Sequence, residues 1–479
     1  MSISQPLNQP SKSPTNWTSL IQVVLSALAS LILLGVSALI AVTSIVQYLS
    51  QGYSSLELTQ SFMIAASLAF TGVLLLPSAW YAWKEVAGLE QATAFQVEPR
   101  GFGFILTLLV LVLVPGALWL GNWVSQNDQI AWFLLPLLNI TVNGLSAFWL
   151  VYMGIRGLNP GSPRRLWGVF ASGLVLSPGI ILIIEAFALV GFGILVILGA
   201  VLNPDITNEL QILILRVQNA ATNPDAILRI LLPFLLQPGI LLVAFAFISV
   251  IVPLIEEALK PIGVWFLAGQ KLNPAQGFAF GVLCGAGFGL FENLGNTSPG
   301  GEAWAILAST RITTLLLHCL TTGLVGWALA SAWSQKRYLR LGITYAFAVV
   351  IHGLWNGMAV LSAISSLEGQ VSIEIPANLQ QIGSLATIGV IALGAFNLVL
   401  YVGFNTVLRN NLTTQVSPRT GDLATSSFTA GVSTPSEQNQ SSTPRNIKTS
   451  LALSLDIPSL PSSNEQHLTT TDNLPKDPE

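Results

Sequence analysis

The stretch Leu231–Ala268, LLPFLLQPGILLVAFAFISVIVPLIEEALKPIGVWFLA, decides how the chain is read. It is longer than the roughly 20 residues with which a helix crosses about 30 Å of hydrocarbon, so it places the chain in a membrane. Its ionisable residues are Glu256, Glu257 and Lys260. Charges at membrane depth cost several kcal/mol each unless they are paired or face a polar cavity, so three within one turn need a reason. On a helix Glu256 lies four residues and Glu257 three residues before Lys260, which can neutralise either carboxylate but not both. One reading is a structural ion pair whose lysine reaches for headgroups. The other is a carboxylate tuned by its surroundings to take a proton from water.

The rest of the chain has the same character. Of its 479 residues 52% are hydrophobic and 9% charged, far below the charged fraction of soluble proteins. Apolar segments at Leu20–Leu49, Ser61–Trp83, Phe102–Val124, Ile130–Ile155, Leu166–Leu202, Leu231–Ala268, Ala275–Glu292, Ala303–Trp333, Leu341–Ile364 and Ile382–Phe404 predict an all-α, polytopic bundle of about ten crossings. The first run exceeds a signal-peptide core and is read as a retained helix. Leu166–Leu202 and Leu231–Ala268 are overlong and contain prolines, which suits broken or tilted helices. Between them, Asn203–Arg229 reads as a polar, amphipathic stretch.

With the N-terminus in the cytoplasm, Lys84, Arg100, Arg156, Arg164, Arg165, Lys271, Lys336, Arg337 and Arg340 fall in cytoplasmic loops, and the opposite loops hold Arg216 and Arg229. The positive-inside rule therefore predicts both termini in the cytoplasm, and the plasma membrane is the expected location. The chain divides into a polar lead (1–18), an N-terminal set of membrane helices (19–229), a polar-rich membrane domain (230–408) and a tail (409–479). The tail is rich in Ser, Thr, Asn, Gln and Pro and is expected to be disordered. Cys284 and Cys319 both fall within spans and read as small packing residues. A net charge of -3 with no basic patch gives no reason to expect nucleic acid.

Buried polar residues concentrate in the second half. In the first half Glu185, Asn139 and Asn143 read as interhelical hydrogen bonds. Further on, Gly277, Gly281, Gly285 and Gly289 recur every fourth residue and form a smooth helix face, with Glu292 three residues beyond. Arg311, Thr314, His318 and Thr321 form one polar stripe, and His352 and Asn356 share a face of the ninth span. Histidines occur at 318, 352 and 467, so both membrane histidines accompany other polar groups.

In order, Glu256-Glu257-Ala-Leu-Lys260, Phe288-Gly-Leu-Phe-Glu292-Asn293, His318 and His352-Gly-Leu-Trp-Asn356 resemble the motifs of the PrsW family of intramembrane proteases. That family is similar in turn to the CaaX-protease and bacteriocin-processing group. Asn356 stands where some relatives have Asp. The resemblance implies an intramembrane endopeptidase acting on a membrane-protein substrate in the lipid bilayer. Glu256 or Glu257 would activate water, with Lys260 balancing charge. His352 and Asn356 would donate to the developing oxyanion, and Glu292 and His318 would hold water, a metal ion or the leaving amine.

A metal-free glutamate mechanism needs nothing beyond these groups and is the preferred reading; the alternative is a metal site of His318, His352 and Glu292, with zinc as the metal. A common site requires a broken Leu231–Ala268 segment, since depth along the spans puts Glu256, His352 and Glu292 at different levels. Two other classes fit buried charges: a transporter or channel, which predicts an internal repeat that the halves do not show, and a non-catalytic membrane scaffold or immunity protein.

Overall fold

The computed structural model of the protein describes residues 16–50, 52–89, 101–202, 204–220, 224–366 and 377–416. The lead up to residue 15, the loop holding Glu368 and Glu374, and the tail beyond residue 416 lie outside the described residues. Within them the chain is helical without strands, and ten helical segments are long and apolar enough to cross a membrane. The protein is an integral, multi-pass membrane protein.

In chain order the helices are α1 (Trp17–Leu49), α2 (Ser55–Val86), α3 (Phe102–Val124), α4 (Asp128–Ile155), α5 (Pro163–Ala171) and α6 (Ser177–Val201). The short α7 (Pro204–Asn219) and α8 (Pro224–Leu235) lead to α9 (Pro238–Ala246), α10 (Val252–Leu259) and α11 (Ile262–Trp265). The last four are α12 (Pro274–Thr297), α13 (Trp304–Gln335), α14 (Tyr338–Ser366) and α15 (Ala377–Val416). A π-turn at Ser172–Leu176 joins α5 to α6, and a second at Phe247–Ile251 joins α9 to α10.

The two overlong segments resolve differently. Leu166–Leu202 stays one rod, widened by its π-turn. The Leu231–Ala268 segment is divided instead: Pro238 starts a new helix, so its first residues belong to α8, and the run stops again at Lys260-Pro261 because proline cannot continue a helix at that geometry. The expected boundary at residue 409 also moves. α15 runs on to Val416, since nothing between Arg409 and Val416 breaks a helix and the next proline is Pro418.

At the centre stand α12 and α13, 89% and 83% buried, against 17% for α1. α12 starts with Pro274 behind a capping box in which Asn273 and Gln276 satisfy each other's backbone donors. Its glycine face lies directly on the α13 backbone. A Cβ at Gly277 would sit 2.4 Å from the Gly326 carbonyl oxygen, at Gly281 2.2 Å from that of Thr322, and at Gly285 2.2 Å from that of His318. Without side chains in the seam the helices approach to backbone contact, and the register sets His318 beside Gly285 and Gly289. Cys284 and Cys319 are free and buried, as packing residues.

The N-terminal helices attach by polar bonds as well as apolar packing. Ser30 and Ser37 of α1 donate to the carbonyls of Gly72 and Ala65 in α2, at 2.8 and 2.7 Å. Asn143 donates to Asn139 within α4, and the Trp304 indole N–H, at the start of α13, donates to Asn139 Oδ1 at 3.2 Å. That indole is fully buried against α3, where a Cβ on Gly121 would lie 2.0 Å from its ring. Tyr401 and Asn405 of α15 donate to the carbonyls of Leu150 and Gly154 in α4, both at 2.7 Å.

Substituting the seam should be felt at once. Gly281→Ala is expected to lower stability by about 1–3 kcal/mol, the usual penalty for overpacking. Gly295→Ala, where a Cβ meets nothing within 4 Å, should be neutral. Thermal unfolding of the two purified variants in detergent checks the contrast.

Candidate active site

Lys260 closes α10, and its side chain is wholly buried. Its ammonium lies 2.7 Å from Glu256 Oε2, 2.9 Å from Glu257 Oε1, 2.9 Å from His318 Nδ1 and 3.3 Å from His352 Nδ1. It stands 4.7 Å from the centroid of the Phe288 ring in α12. Side chains from α10, α12, α13 and α14 therefore meet around one nitrogen. The separate depths expected for Glu256, Glu292 and His352 are reconciled by the breaks in the α9–α11 segment and by the α12–α13 register.

The breaks have a local cause. Pro253 has no N–H for the helical bond that the Ser249 carbonyl would otherwise receive. In the π-turn the Ile248 carbonyl accepts from Asn356 Nδ2 at 3.2 Å, and Ser249 lies against Gly353, where a Cβ would stand 2.0 Å from its oxygen. The Tyr345 hydroxyl donates to the Leu254 carbonyl at 2.7 Å. α14 is thus fixed along the π-turn and α10, and His352 is carried into the cluster. Asn356 is held on the π-turn by its bond to the Ile248 carbonyl.

The hydrogen bonds assign the histidine tautomers. Lysine can only donate, so His318 Nδ1 accepts, and its Nε2–H donates to Glu292 Oε2 at 2.7 Å. His352 Nδ1 lies 2.8 Å from Glu257 Oε1 and 3.3 Å from the Lys260 ammonium; in the tautomer that donates to the nearer carboxylate, the lysine contact is not a hydrogen bond and Nε2 faces Glu256 Oε2 at 3.7 Å. Each imidazole is held by its own carboxylate through one nitrogen, the arrangement that orients metal-binding histidines. Glu292 is fixed in turn by Arg311 at 2.7 Å, and Arg311 Nε donates to Asn293 Oδ1 at 3.0 Å. Arg311 accounts for the top of the polar stripe; Thr314 and Thr321 turn back to carbonyls of their own helix.

Glu256, His318 and His352 offer ligand atoms within 4.8 Å of one another, a set that could hold a metal ion. The second oxygen of Glu257 is buried without a protein partner beside them. One carboxylate and two oriented imidazoles suit zinc and leave a position for water. The set includes Glu256 and not Glu292, which is engaged with His318 Nε2 and Arg311. Glu257, Lys260, His318 and His352 are sealed, whereas the Glu256 and Glu292 side chains are 10% and 30% exposed, so the cluster opens on their side. A groove of about 380 Å³ lined by residues of α2 and α12, among them Thr71 and Phe291, contains none of these residues.

Residues 162–377 match the family model of PrsW family intramembrane metalloproteases. The matched segment, a little under half of the chain, is similar to that family. No curated protein and no solved structure matches the chain. The PrsW segment spans α5 to the end of α14 and takes in every residue of the cluster; α1–α4 precede it. The match supports an intramembrane endopeptidase. Several residues that build the PrsW site were not singled out in sequence: Gly353 and Gly357, whose spacing repeats that of the α12 glycines, and Phe288, which was noted only as part of a motif. Glu185 was read as an interhelical bond, but its Oε1 is shielded without a partner.

Removing the central cation should unfold the site. Lys260→Met leaves two buried carboxylates unpaired and is expected to cost about 3–5 kcal/mol. Adding Glu256→Gln and Glu257→Gln to that variant should recover part of the loss, read from thermal melts of single and triple variants.

Proposed function

We propose that the protein hydrolyses a peptide bond of a membrane-associated protein, with Glu256 as the base that takes a proton from the attacking water. The observation that carries this reading is the convergence of four helices on one cluster in which both histidines are oriented by carboxylates. Glu256 has a side chain in the cluster and a path to its open side. Glu257 is fully sealed and bonded to Lys260 and His352, which suits it to hold the imidazole rather than to meet substrate. Lys260 is the cation that pairs with both acids in a low-dielectric interior. Arg311 and Glu292 hold His318 in its tautomer.

The metal ion that the family name implies would be held by Glu256, His318 and His352, zinc by donor type; in that state Glu256 is a ligand rather than the base, and the Lys260 ammonium gives up its contact with His318 Nδ1. When bound, such an ion polarises a carbonyl and acidifies its water. His352 Nε2, unprotonated in this network, serves as ligand or acceptor, so oxyanion stabilisation by this ring needs its protonated form. The catalytic part takes in α5 and α6 in addition to residues 230–408, because α6 packs along α10. Both termini lie in the cytoplasm of a plasma membrane by the charge of the loops, and the substrate is a membrane protein that reaches the open side from the bilayer.

A transporter would use the same charges to bind a solute, but pairs of carboxylate-held histidines are suited to activating water. The test is cleavage of a co-expressed membrane reporter. Glu256→Gln should lose about 100-fold or more in cleavage, the low end of general-base contributions, with expression unchanged. Equal cleavage by Glu256→Gln overturns the assignment. Chelation followed by zinc add-back separates the two mechanisms: loss and recovery support the metal, and undiminished activity in metal-free buffer removes it.

A further inference from the structure

α6 carries a single ionisable residue, Glu185. Its position on the helix is specific. Ser177 and Ile181 are buried and Glu185 and Ala188 half-buried, at spacings of four, four and three, while Leu182, Ile183, Phe187 and Leu189 face outward. This inner stripe lies along the catalytic segment: Ser177 Oγ donates to the Leu259 carbonyl at 3.3 Å, and the Phe192 and Phe247 rings stand 5.4 Å apart. Glu185 lies between those two contacts on the stripe of α6, which packs against α10 and α12. Its Oε1 is shielded and has no hydrogen-bond partner in the protein.

A carboxyl held in the middle of an apolar helix without a protein partner is costly unless it borders a polar cavity. Glu256 and Glu292 are the two partly exposed acids of the cluster, and α6, which carries Glu185, packs against both helices that hold them. We propose that Glu185 is a positioning residue of the protease, forming the α6 wall of a water-filled cleft and accepting the hydrogen bond that orders the water on which Glu256 acts. This rests on the proteolytic reading above. Glu185 belongs to none of the four motifs, and an apolar residue there would pack as well against lipid, so the acid is retained for the cleft rather than for the fold.

Two measurements test it in the full-length protein. Cys284 and Cys319 are buried, so a cysteine introduced by Glu185→Cys is read against a low background. A charged, membrane-impermeant methanethiosulfonate should modify Glu185→Cys in detergent and leave Phe187→Cys, two residues on and facing outward, unmodified. Absence of modification at 185, or equal modification at both, overturns the cleft. In cleavage of a quenched fluorescent peptide carrying one transmembrane segment, Glu185→Leu should lower kcat about tenfold or more with KM within about twofold. Its melting temperature should be unchanged or raised, and Glu185→Gln, which keeps an acceptor, should recover much of the rate. Full kcat in Glu185→Leu alongside an inactive Glu256→Gln overturns this role alone; a melting temperature that falls with the rate makes Glu185 a structural bond. Failure of the wild-type protein to cleave overturns both proposals.

Discussion

A single buried ammonium holds this molecule's chemistry together. Lys260 has two carboxylates and two imidazole nitrogens within 3.3 Å, contributed by three helices, and a fourth helix supplies the aromatic ring beneath it. In hydrocarbon none of these groups is tolerable alone. Together they compensate most of one another's charge, and Glu257, which pairs with the lysine, also sets the direction of His352. The trio of Glu256, Glu257 and Lys260 retains one negative charge, which gives the site a standing preference for a cation or a proton on its open side.

Such a cluster forms only if backbones come close enough for short side chains to meet. Two glycine seams provide this. Gly277, Gly281, Gly285 and Gly289 let α12 rest on α13, which brings Glu292 to His318. Gly353 and Gly357 let α14 rest on the π-turn ahead of α10, which brings His352 to Glu257. The proline that widens the turn and the glycine that fits against it are two parts of one joint. Neither contributes to chemistry, and both set the distances on which chemistry depends.

Much of this was legible in the sequence, for physical reasons. Length and apolarity fix the crossings, because a helix must span a known thickness. The glycine spacing announces the α12 seam, and isolated acids and histidines in apolar runs announce a site. Partner choice was hidden. Nothing in the spacing shows that Glu292 orients His318 while Glu256 joins the ligand set, since that depends on helix register. Asn356 shares a face with His352 yet bonds to Ile248, because the π-turn offers an unpaired carbonyl that only coordinates reveal. Glu185 reads as an ordinary interhelical acid until its stripe is seen to run along α10.

The Trp304 indole has a consequence for how the two halves of the chain are related. It is sunk into α3 at Gly121 and tethered to Asn139 of α4, at the very start of the rod that carries Arg311 and His318. The four leading helices are therefore a rivet through the catalytic rod rather than an ornament in front of it. Excising them to obtain a minimal enzyme would leave a bare aromatic stud in the bilayer and free the rod to slide, so the working unit is larger than the segment that carries the family's signature.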